Sequence, residues 1–85
     1  MTATTSSIAD AVQRAAAAYP DRDVRGSGWD SGDAFILVTD NPALPPAMRD
    51  AEEDKLLVRV AKSTGEVTAG TYVMFRREIA SASEV

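Results

Sequence analysis

The sequence predicts an α+β domain in which one N-terminal helix packs on a four-stranded, mostly antiparallel sheet. Three observations carry that expectation. Ile8, Val12, Ala15, Ala16 and Tyr19 recur at helical spacing, whereas from residue 23 onward the pattern changes to extended runs. Short Asp/Ser/Gly and Thr/Gly turns join these runs, which favours antiparallel neighbours. The chain has 85 residues, enough for a single core, because two domains sharing that length would each lack one. One helix laid across a sheet lets each element hide an apolar face.

The helix is expected over residues 7–18. Ser7 followed by Asp10 resembles a capping box, and the acid suits the positive end of the helix dipole. Asp10 and Arg14 form an i,i+4 pair, and the alanine-rich filling favours the helix intrinsically. Pro20 ends it by pushing the residue before it out of helical geometry. So short a helix is unstable alone and must dock.

Residues 23–29 are expected to form a strand weakened by Gly26 and Gly28, which point to an edge or a bulge. Asp30-Ser31-Gly32-Asp33 is turn chemistry. Residues 34–39 give the clearest strand, and their nearly continuous apolarity suits a central strand partly covered on both faces. The long connection over 40–54 is broken by Asn41-Pro42 and Pro45-Pro46, and Pro46 can open a short helix through about Glu53. Connections of this length are often functional. Residues 56–62 alternate, with Leu56, Val58 and Val60 on one face and Leu57, Arg59 and Ala61 on the other. Ser63-Thr64-Gly65-Glu66 is a tight turn into a return strand over 67–75, which would place Thr68, Gly70, Tyr72 and Met74 on one face. The ordered core is therefore expected to run from about 7 to 75, with a polar, small-residue tail at 76–85 that frays.

Composition narrows the chemistry sharply. Without cysteine there is no thiolate nucleophile, disulfide or sulfur-bound zinc, and without histidine there is no imidazole base or ligand. No catalytic residue, cofactor or metal is assigned. The net charge of −4 opposes nucleic-acid binding and an anionic membrane surface. The longest apolar run, 34–38, is far short of a span, and the first ten residues lack a basic, apolar signal pattern. A cytoplasmic location follows as the expectation.

Charge is uneven along the chain. Residues 21–54 hold nine acids against three bases, whereas 55–85 hold three acids against five bases. Asp50, Glu52, Glu53 and Asp54 can pair with arginines on another protein or simply solvate a short helix. Asp30, Asp33 and Asp40 offer oxygen ligands for a hard cation, but too few and in no calcium-loop spacing, so turn chemistry explains them better. A two-carboxylate glycosidase cleft needs more chain than this, and Gly26, Gly28 and Gly32 fit no phosphate-binding loop. Trp29 is the lone tryptophan, either a large core contributor or an interface anchor. Tyr72 and Met74 share the strand face that one helix would leave uncovered, which makes them a candidate contact patch.

The run from Val58 through Arg59, Val60, Ala61, Lys62, Ser63, Thr64, Gly65 and Glu66 to Val67 resembles the C-terminal hairpin of small bacterial immunity proteins of the YrhB-like type. As a second choice it is similar to the strand-turn-strand of PepSY-type domains. Gly28-Trp29 before an apolar strand also fits the immunity-like pattern. The resemblance implies a non-enzymatic, protein-binding α+β domain. The leading expectation is thus an immunity-like inhibitor of a basic toxin or enzyme. The alternative is a structural or assembly subunit, of a phage or secretion-type machine, that forms homo-oligomers through its sheet.

Overall fold

The computed structural model describes residues 7–49 and 55–85. The first helix, α1 (Ile8–Ala18), begins as its sequence predicts, with the Ser7 hydroxyl accepting the Asp10 N–H at 3.3 Å. At its far end the Tyr19 N–H donates to the Ala15 carbonyl at 2.9 Å, one residue before Pro20. Ala11 and Ala15 are fully buried, and their small side chains let the helix axis approach the sheet closely.

Among the described residues five strands follow: β1 (Asp23–Asp30), β2 (Ala34–Asp40), β3 (Leu57–Ala61), β4 (Val67–Gly70) and the two-residue β5 (Ser83–Glu84). They lie in the order β4-β3-β2-β1-β5, and every neighbouring pair is antiparallel. A one-turn helix, α2 (Pro46–Arg49), interrupts the connection between β2 and β3. The anticipated bulge is present in β1. Between the Val24–Thr39 and Gly28–Leu37 pairs, three β1 residues oppose Val38 alone. Gly28 closes that bulge so tightly that a Cβ there would lie 2.0 Å from the Ile36 carbonyl oxygen. In the next turn Gly32 takes φ +90°, and its N–H donates to the Asp30 carboxylate at 2.9 Å.

The sheet is covered on both faces. On one, Phe35, Leu37, Val58 and Val60 pack against Ala11 and Ala15 of α1. On the other, Ile36 and Leu57 meet Ile79, with Trp29, Val38 and Phe75 packed around them. Ile79 and Phe75 belong to a third helix, α3 (Tyr72–Ala80), and here the structure corrects the sequence reading. The strand expected over 67–75 stops at Gly70, and the chain turns at Thr71 into α3. The tail expected to fray over 76–85 is instead the rest of α3 followed by β5. β5 pairs with Trp29 and Asp30 and supplies the fifth strand. The physical reason is packing: β2 is apolar on both faces, and only a second layer removes Ile36 from water. Phe75 and Ile79 fall one helical turn apart and provide that layer.

Candidate protein-interaction surface

Two kinds of contact hold α3 on the sheet. Phe75 and Ile79 supply apolar burial, and Glu78 supplies a polar anchor. Arg59 Nε and Nη2 donate to the Glu78 carboxylate, at 2.8 and 3.2 Å, and the Ser31 hydroxyl donates to its Oε2 at 2.7 Å. The Arg59 guanidinium and the Ser31 hydroxyl hold the Glu78 carboxyl below its usual range, against partial burial that would raise it. The same bidentate pair raises the Arg59 pKa further.

With its inner face committed, α3 turns an apolar outer face to solvent. Val73 is 71% exposed, Met74 69% and Tyr72 50%. The Tyr72 ring also meets the half-buried Trp29, with centroids 6.4 Å apart and planes tilted by 59°. Met74 leans back over Gly70, where a Cβ would lie 2.6 Å from the methionine sulfur. Beside the tryptophan, Ser27, Gly28, Trp29, Val38, Glu84 and Val85 line a shallow open hollow of about 210 Å³. Bulge, β5 and α3 thus meet around Trp29.

Of the residues singled out in the sequence, Trp29 and Tyr72 come together, and Met74 lies on the same helix as Tyr72. Tyr72 and Met74 do not share the strand face expected from alternation; they lie two positions apart on α3, Tyr72 toward Trp29 and Met74 over Gly70. Trp29 divides its surface between the Ile36–Leu57–Ile79 cluster and the Tyr72 ring. Asp50, Glu52, Glu53 and Asp54 lie outside the described residues. Val73 escapes sequence reasoning because the expected return strand runs through it, and Arg76 and Arg77 because they fall in the tail expected to fray. The signal that finds them is the Tyr72, Phe75, Ile79 spacing.

Two of the three carboxylates considered as cation ligands, Asp40 and Asp30, are engaged by the protein's own cations. Asp40 is nearly buried and receives Arg25 through two bonds of 2.6 and 2.8 Å, and Lys55 at 2.6 Å. Arg25 first, then Lys55, hold its carboxyl far below the usual carboxylate range. Asp30 takes the Lys62 ammonium at 2.7 Å, and that contact together with the Gly32 N–H lowers its pKa. Among the described residues no group of three acids is arranged to hold a metal ion.

Comparison with protein-family models, curated proteins and solved structures finds no match to this chain. Among the described residues, no helix is long and apolar enough to cross a membrane.

Proposed function

We propose that this chain is a non-enzymatic, cytoplasmic protein-binding domain whose contact surface is the outer face of α3 together with Trp29 and Tyr72. The observation that carries the proposal is the exposure of Tyr72, Val73 and Met74 in sequence on a helix whose inner face is already satisfied. Side chains this exposed contribute little to folding, and grouped with an aromatic pair they suit an interface core. The non-enzymatic reading draws support from the acids. Among the described residues, the carboxyls that the fold moves, Asp30, Asp40 and Glu78, move down through contact with cations. A general acid at neutral pH needs the opposite shift.

An immunity-like inhibitor is the most concrete form of this function, with the acidic segment around 50–54 steering a basic target. Self-association through the sheet is the alternative. It has less room than the sequence suggested, because α1 and α3 occupy the two faces and leave only the edges. The test is a binding measurement with the product of the neighbouring gene, comparing wild type with the V73Q/M74Q double variant. Glutamine keeps helix propensity while removing the apolar surface. Loss of binding with an unchanged melting temperature is expected, whereas full binding by the variant would move the interface elsewhere.

A further inference from the structure

The outer face of α3 is not only apolar. On a helical wheel Val73 has Arg76 and Arg77 as its i+3 and i+4 neighbours, and Arg77 is also i+3 from Met74. Both arginines are exposed. Elsewhere Arg25 and Lys55 pair with Asp40, Arg49 with Asp23, Arg59 with Glu78 and Lys62 with Asp30. Neither Arg76 nor Arg77 has a carboxylate partner among the described residues. The dipole at the end of the helix favours Arg77 where it stands, yet it explains neither Arg76 nor the bare Val73 and Met74 beside them.

We infer that this face docks into an apolar groove on another protein whose rim carries Asp or Glu side chains. Val73 and Met74 enter the groove as the anchors, Tyr72 and Trp29 extend the buried contact along one side, and the two guanidiniums pair with the carboxylates of the rim. Val73, Arg76 and Arg77 stand at i, i+3 and i+4, the spacing at which a helix presents side chains to a groove. Arginine is the cation best suited to such a rim, since its planar fork can engage a carboxylate through two bonds. Charge complementarity selects the partner: a basic or neutral groove would leave both guanidiniums unpaired beside a desolvated contact, which is unfavourable. The inference rests on the proposed use of α3 as a contact surface and adds the chemistry of what it contacts. It gives the chain two electrostatically distinct regions, since its middle segment is acidic whereas α3 is cationic.

The test uses the full chain in the cells that make it, with benzoylphenylalanine in place of Val73 as a photo-crosslinker and the same group at Ser63 as an exposed control. Adducts are mapped to the partner peptide by mass spectrometry. The expected result is an adduct at position 73 to a protein segment bearing Asp or Glu, reduced at least tenfold by R76E/R77E and partly by R76Q/R77Q. Circular dichroism and melting temperature of each variant establish that α3 is still folded. An adduct to a neutral or basic peptide, insensitive to both charge variants, overturns the acidic groove while leaving α3 an interface. An adduct to lipid, to nucleic acid or to a second copy of this chain also overturns it. No adduct at 73 above the Ser63 control removes the contact surface itself, and the inference with it.

Discussion

At the scale of single residues, Gly28 and Glu78 determine whether the surface around Trp29 exists at all. Adding a methyl group at Gly28 forces the Ile36 carbonyl to move, so Gly28→Ala should destabilise the chain by about 1–3 kcal/mol, read as a lower urea midpoint. An unchanged midpoint would mean that the bulge yields freely. Glu78→Gln keeps the shape of the anchor but removes its charge, at a cost of about 1 kcal/mol for a partly exposed pair. Because the folded pKa of Glu78 lies below its unfolded value, its stabilisation is complete above about pH 4.3 and is lost as pH falls through the folded value. The gap between wild type and Glu78→Gln should therefore be widest near neutrality and close in acid. A gap independent of pH would assign the loss to hydrogen-bond geometry alone. Asp30 and Asp40 act with the same sign, so acid should weaken the whole fold. Trp29 is half-buried, and Trp29→Ala should cost about 2–3 kcal/mol, below the loss from a fully enclosed tryptophan.

At the scale of elements, α3 divides into a face that folds and a face that does not. Ile79→Ala should cost about 2–4 kcal/mol because the side chain is buried over Ile36 and Leu57. V73Q/M74Q should change stability by no more than about 0.5 kcal/mol, since both side chains lie in water. Paired denaturation curves check both, and comparable losses would show that the outer face is covered. The same division explains what was legible in the sequence. α1, β1 with its bulge, β2 and β3 could be read because cap, proline, glycine and alternation all agreed with the final structure. α3 could not, because Val67 through Phe75 alternates well enough for a strand, and only Ile79 discloses the helical period. The decision was made by tertiary packing, through the need to cover the second face of β2. Trp29 is recognisable as a candidate from residue type, and Tyr72 only through a strand face that α3 replaces; their contact needs the turn at Thr71 to bring them together.

At the scale of the whole molecule, charge governs how partners arrive and apolar surface governs how long they stay. If the acidic stretch Asp50, Glu52, Glu53 and Asp54 steers a basic partner, neutralising all four should slow association and leave dissociation nearly unchanged. The difference should shrink with salt, as the screening length falls from about 10 Å at 0.1 M to about 3 Å at 1 M. Equal association rates at low salt would remove that role. With both sheet faces covered, light scattering should give one species of 9.0 kDa, and a stable oligomer would favour the assembly-subunit reading. The central claim, that α3 and Trp29 form the surface that meets another protein, is tested most directly by amide mapping. The isotopically labelled chain is titrated with the product of the neighbouring gene while backbone and indole N–H resonances are followed. The account predicts that the Trp29 indole and the amides of Tyr72, Val73, Met74, Arg76 and Arg77 shift, while those of α1 stay in place. Shifts confined to α1 or the β4 edge, or no shift at all, would contradict it.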